Sequence, residues 1–283
     1  MATFFNQATL SYSGGTVNSN ITTGEILEVL AATKTAVYDR YAPGSDITYA
    51  VNIVNSGTIA FTGLTVTDDL GAYAFGTTTL QPLDYVDGSI RYFVDGVLQP
   101  APTVTAGPPL VISGINVPAS GTATILYAAR ANTFAPQDVE GTIVNTVTIS
   151  GGGITPLTAT ETVSAEAEPR LTITKSVSPT TVTENGQLTY TFVIQNTGNV
   201  LADATDAVVV TDTFDPILTG LTVTYNGTPW TSPASYTYNE ATGLFSTAAG
   251  SITVPAATYT QDPTTGAWVV DPGVAVLTVT GTI

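Results

Sequence analysis

The chain contains two lysines, Lys34 and Lys175, and they occupy the same place in two similar segments, ATKTAV and LTITKSV. Where apolar and polar residues alternate, side chains two positions apart share a face. Lys175 therefore sits with Leu171, Ile173 and Val177, and Lys34 with Ala32 and Ala36. The same parity sets Asp68 beside Leu64 and Val66, and Asp212 beside Val208 and Val210. Asn145 falls in line with Ile143, Val147 and Ile149, and Asn6 with Phe4, Ala8, Leu10 and Tyr12. Two Lys, Asp and Asn sets are thus expected on core faces: Lys34, Asp68 and Asn145, then Lys175, Asp212 and Asn6.

Burial disfavours charge, pushing a lysine toward its neutral amine and a carboxyl toward its protonated acid. A neutral amine is a nucleophile, and a protonated carboxyl can donate to an amide carbonyl. Such a set can join Lys to Asn through an isopeptide bond with loss of ammonia. Lys34 would link to Asn145 beside Asp68, and Lys175 to Asn6 beside Asp212. The same residues also fit an enclosed Lys and Asp ion pair with Asn supplying a hydrogen bond, which needs no chemistry. Spacing leaves both readings open.

Strands are the elements that must position these groups. Thr, Val and Tyr run between Gly and Pro punctuation, and no stretch has the period of an amphipathic helix. A chain of 283 residues suits two domains. Self-comparison finds two copies offset by about 140 residues. The first reads SDITYAVNIVNSGT, LTVTDDL, VPASGTATILYAA, GTIVNTVTISGGG and LTATETVSAEA; the second reads GQLTYTFVIQNTGN, VVVTDTF, VPAA and GVAVLTVTGTI. The pair of strands that closes the first copy has no counterpart after the second. It has one at the front: TFFNQATLSYSGG from Thr3 aligns with TIVNTVTISGGG from Thr142.

The expected organisation is all-β, with donor strands in 1–31, a complete sandwich in 32–168 and an incomplete acceptor sandwich in 169–283. An open sandwich exposes apolar core and unpaired strand edge, and a neighbour's leading hairpin can fill it by donor-strand complementation. Phe4, Asn6, Ala8, Leu10 and Tyr12 form the donor interface in that reading. The contact is heterologous, so it builds a head-to-tail homopolymer, a filament. The competing arrangement folds the hairpin back into its own second domain as a closed monomer.

Composition narrows the function classes. Without Cys or His, thiol chemistry, the usual zinc ligands and the commonest general base are missing, so no enzyme, metal or cofactor is expected beyond the self-crosslinking. A net charge of −16 with only six Lys and Arg opposes nucleic-acid binding. No apolar stretch nears the roughly 20 residues that cross a bilayer, so no membrane insertion is expected. Asp84, Asp87, Asp203 and Asp206 read as solvated loop acids without the spacing of a calcium loop. A Cys-free, Lys-poor surface points outside the cell, at a cell or spore surface. The alternative function is a monomeric adhesin or stalk module, its ligand surface lying in the inserted stretch with Tyr259, Asp262 and Trp268.

The segments ITKSV, LTYTFVIQNTGN, VVVTDTF and NTVTISGGG resemble the conserved-repeat domains of unknown function that occur in tandem in bacterial and archaeal surface proteins. That resemblance implies two immunoglobulin-like β-sandwiches and a role as stalk, envelope protein or adhesin. The Lys, Asp and Asn pattern is also similar to the self-crosslinking domains of Gram-positive pilins. Unlike those pilins, the sequence shows no LPxTG-type sorting signal and no hydrophobic tail.

Overall fold

The computed structural model describes residues 2–26 and 28–283; Met1 and Leu27, both within the leading segment, lie outside the described residues. The architecture is all-β. Among the described residues the one helical turn is a 3₁₀ turn, Ala204–Asp206.

The leading segment forms β1 (Ala2–Asn6), β2 (Thr9–Tyr12), β3 (Gly15–Asn18) and β4 (Thr22–Ile26). Strand β1 pairs with β4, β2 pairs with β3, and among the described residues none of the four pairs with another strand. The hairpin turns at Gly15, whose φ of 145° is easy only without a Cβ. Asn6 faces Thr22 and Thr9 faces Asn18, so the return side carries one residue more than the leading side. This bulge is tied down by Ser19, whose N–H donates to the Ala8 carbonyl at 2.8 Å. Side chains that would normally build a core are left in water: Phe4 is 52% exposed, Leu10 64% and Tyr12 60%.

By compactness the chain divides into residues 1–39, 45–131 and 144–163, and a second unit of 40–44, 132–143 and 164–283. The first unit contains β5 (Leu30–Ala36), β6 (Asp46–Asn55), β7 (Phe61–Asp68), β8 (Arg91–Val94), β9 (Leu110–Val117), β10 (Thr122–Ala131), β11 (Thr142–Ser150) and β12 (Leu157–Ala165). One sheet runs β8-β10-β6-β5 and the other β9-β7-β11-β12. Their facing sides bury every second residue, such as Tyr49, Val51 and Ile53 on β6 and Leu64 and Val66 on β7. Period-two burial on both sheets is the pattern of a sandwich core. Each large apolar side chain removed from water there stabilises the fold by about 1.5–3 kcal/mol.

The second unit contains β13 (Leu171–Ser178), β14 (Gln187–Asn196), β15 (Thr211–Thr213), β16 (Thr219–Tyr225), β17 (Tyr236–Asn239), β18 (Leu244–Thr247), β19 (Thr258–Gln261), β20 (Trp268–Asp271) and β21 (Gly273–Thr282). One sheet includes the run β13-β14-β21-β16, the other is β15-β18-β17, and β19 and β20 form a separate hairpin. Phe192, Ile194, Phe214, Val223 and Phe245 build its core. By position in the repeat, β13, β14 and β21 match β5, β6 and β10, while β15 and β18 match β7 and β9. One difference between the units bears on the site: β7 is flanked by β9 and β11, whereas β15 is flanked by β18 alone among the described residues.

Candidate functional site

In the first unit the two sheets bring Lys34 and Asp68 together. Strand β5 sets Lys34 opposite Val51, with its stem on the buried face, and Asp68 ends β7 on the facing sheet. Lys34 Nζ lies 2.8 Å from Asp68 Oδ2, and both side chains are 0% exposed. The Tyr127 hydroxyl donates to the same oxygen. The Leu70 N–H donates to Asp68 Oδ1 at 2.7 Å. Above the ammonium, the Tyr49 ring centroid lies 4.7 Å from Nζ and the Tyr127 centroid 6.0 Å, and the two rings stack 5.7 Å apart. Burial holds the Lys34 pKa below its ordinary value, outweighing the opposing pull of the Asp68 charge and hydrogen bond.

Asn145 is the third member. Val147 on β11 stands opposite Asp68, so Asn145, two residues earlier, is its diagonal neighbour on the same face. Its side chain is fully buried, yet neither amide atom has a hydrogen-bond partner among the described residues, and the Tyr49 hydroxyl also lacks one. Burial pushes the Tyr49 phenol up, and the adjacent Asn145 amide only partly offsets it. The two groups are therefore neighbours without a bond of regular geometry. A buried polar group left unpaired costs about 1–3 kcal/mol, so a native core keeps one only where something else is gained. The Lys34 amine, the Asp68 carboxyl and the Asn145 amide diagonal to it are thus all buried between the two sheets. Sequence parity missed the two tyrosines that line it, although Tyr49 alternates with Val51 and Ile53, and Tyr127 with Ile125.

The second unit repeats half of this arrangement. Lys175 stands opposite Phe192 as Lys34 stands opposite Val51, and it pairs with Asp212. Its Nζ lies 4.5 Å from the Tyr190 ring centroid, 5.4 Å from Phe214 and 5.6 Å from Phe192. The Lys175 side chain is nevertheless 41% exposed. On the same strand face Leu171 is exposed and Ile173 is 52% exposed. The place that Asn145 holds in the first pocket has no occupant in the second among the described residues. Asn6 is exposed on β1, in the hairpin that among the described residues pairs only with itself.

The inserted stretch is occupied with its own turn. The Tyr259 hydroxyl donates to the Thr197 carbonyl, and Asp262 Oδ1 accepts the N–H groups of Thr264 and Thr265 at 2.8 and 2.7 Å. Those backbone bonds hold the Asp262 carboxyl below the usual range. Trp268 is half-buried on β20. Asp203 and Asp206 cap the 3₁₀ turn. Among the described residues no group of three His, Cys, Asp or Glu is placed to hold a metal.

No protein-family model matches the chain, and no curated protein matches it. Solved structures do. The chain is similar to the major pilin subunit BcpA of Bacillus cereus, at 11% identity over 96% of this chain and 73% of that one, with a TM-score of 0.36. It is similar to the pilus backbone RrgB of Streptococcus pneumoniae at 13% identity, covering 86% of this chain and 55% of that one, with a TM-score of 0.36. The collagen-binding subdomain of the Enterococcus faecalis surface protein ACE is 7% identical over 50% of this chain and 99% of that one, with a TM-score of 0.31.

Proposed function

We propose that the chain is the structural subunit of an extracellular surface filament, polymerised head to tail by insertion of one subunit's leading hairpin into the open sandwich of the next. The observation that carries this reading is the mismatch within the chain. A strand pair with the pattern of β11 and β12 stands unburied at the front, and the unit whose β15 lacks that pair stands behind. An exposed, partly apolar strand edge is what β proteins avoid. A second copy supplies both the missing backbone partners and the missing side chains. Seating Phe4, Leu10 and Tyr12 would stabilise the contact by about 1.5–3 kcal/mol each. Donor and acceptor are different surfaces, so each addition leaves a new one open and growth continues.

Within each subunit, Lys34 and Asn145 form an isopeptide bond. A proton moves from Lys34 Nζ to Asp68 across their contact. The neutral amine adds to Asn145 Cγ while the Asp68 acid donates to the amide. The Cγ–Nδ2 bond then breaks, ammonia leaves with the proton as ammonium, and the carboxylate is restored. The bond ties one sheet to the other.

Electron microscopy of the purified full chain tests the assembly, and filaments are expected. A monodisperse, stable monomer at high concentration would remove the filament and favour an adhesin or stalk. Intact mass tests the bond: the chain is expected one ammonia lighter than its sequence, and Asn145→Ala restores the full sequence mass.

A further inference from the structure

We infer that Lys175 of one subunit is joined to Asn6 of the next by an isopeptide bond that forms only once the hairpin has docked. The inference rests on the head-to-tail reading and adds chemistry to it.

The first unit gives the register. There Val147 faces Asp68 and Ile149 faces Val66, with Asn145 diagonal to the acid. The leading strand aligns Asn6 with Asn145, Ala8 with Val147 and Leu10 with Ile149. Docked beside β15 in that register, Ala8 faces Asp212, Leu10 faces Val210, and the Asn6 amide arrives beside the Lys175–Asp212 pair. The edge of β15 that would receive it carries no strand among the described residues. The opposite edge is used by β18, with Asp212 facing Phe245.

The nucleophile is already in place. Lys175 is held by Asp212 beneath three aromatic rings, as Lys34 is held by Asp68 beneath two. Two things are missing, an amide and a cover. Lys34 shows what cover does, since burial is the main cause of its lowered pKa. The docking hairpin brings both at once, because the strand that carries Asn6 also closes the exposed face of β13. Before docking, Lys175 is 41% exposed and the receiving edge of β15 carries no strand among the described residues, so the subunit stays unlinked. After docking the sequence of bonds is that of the first pocket. Lys175 passes a proton to Asp212 and its amine adds to Asn6 Cγ. The Cγ–Nδ2 bond breaks, and ammonia departs as ammonium.

The test uses the full-length chain after assembly, boiled in detergent and resolved by gel and intact mass. A ladder of oligomers is expected, each junction removing one ammonia beyond the one that each subunit loses internally, with Asn6 and Lys175 in one crosslinked peptide. Asn6→Ala is expected to lose the ladder. Mixing Asn6→Ala with Lys175→Met leaves one reactive Lys on one chain and one reactive Asn on the other, so covalent growth stops at a dimer. Wild-type filaments that fall to single subunits on boiling overturn the bond while leaving the head-to-tail reading intact. A ladder that survives Asn6→Ala, or a mixture that climbs past the dimer, overturns it too. If no filament forms at all, the assembly reading fails first and the bond fails with it.

Discussion

Val147 stands directly opposite Asp68 in the ladder between β7 and β11, and this register delivers Asn145 to the Lys34–Asp68 pair. A slip of one residue would turn Asn145 to the other face and leave the amine without an amide. The site is therefore only as secure as the pairing of two strands far apart in the chain.

Losing the Lys34–Asn145 bond should cost stability through the unfolded state, which would no longer be looped between those residues. By analogy with a covalent bridge closing a loop of about 100 residues, Asn145→Ala is expected to lower stability by about 4.7 kcal/mol. Guanidinium unfolding of the two chains, followed by tyrosine and tryptophan fluorescence, gives the difference directly. Equal midpoints would mean that no bond exists in the parent.

The ion pair has its own cost, separable from the bond. In the Asn145→Ala background, Lys34→Ala leaves the fully buried Asp68 without its cation, and a further loss of about 3–5 kcal/mol is expected. Replacing both partners, as Lys34→Met with Asp68→Leu, should recover most of it. A double replacement no better than the single one would show that the carboxylate's other donors, Tyr127 and Leu70, sustain it alone.

Burial lowers the Lys34 pKa from its ordinary 10.5, so the folded chain binds fewer protons there than the unfolded chain. Stability of the uncrosslinked Asn145→Ala chain should then rise as pH increases toward 10.5. Tyr49 and Tyr127 are pushed up from 10.0, so the folded state holds their protons longer and the slope reverses once the unfolded phenols ionise. Urea unfolding between about pH 7 and about pH 10 should show the rise, and Lys34→Met in the same background should flatten it. A decline over that interval would mean that the pull of Asp68 outweighs burial.

Leu10 is 64% exposed in the single chain, so Leu10→Asp should leave subunit unfolding within about 0.5 kcal/mol of the parent. In the proposed filament the same position would face a core, and assembly should fail. Sedimentation of parent and variant at matched concentration separates the two effects. Filaments of normal length from Leu10→Asp would place the contact elsewhere on the hairpin.

Much of this was legible in the residues themselves. Alternation in SDITYAVNIV gives the buried face of β6, and parity alone puts Lys34, Asp68 and Asn145 on inward faces. Parity gives direction but not depth. Lys175 has the same parity as Lys34, yet one side chain is 41% exposed and the other 0%, because cover comes from strands elsewhere in the fold. The tyrosines escaped notice because pocket lining depends on which strands become neighbours. Tyr49 faces Tyr127 on β10, whereas Tyr190 faces Val279 on β21, and Phe214, just past the end of β15, supplies the ring stacked on Tyr190. The grouping of 40–44 and 132–143 with the second unit has no local signature, since it arises from long-range contacts.

Lys34 belongs to the first strand of its sandwich and Asn145 to the next-to-last, and this placement would decide where a pull on the proposed filament travels. With both proposed bonds in place, tension entering a subunit at Asn6 would follow the backbone to Lys34, cross to Asn145, continue to Lys175 and pass into the neighbour. Residues 6–34 and 145–175 would then carry the pull, while everything between 34 and 145, and everything after 175, would hang off that line unloaded.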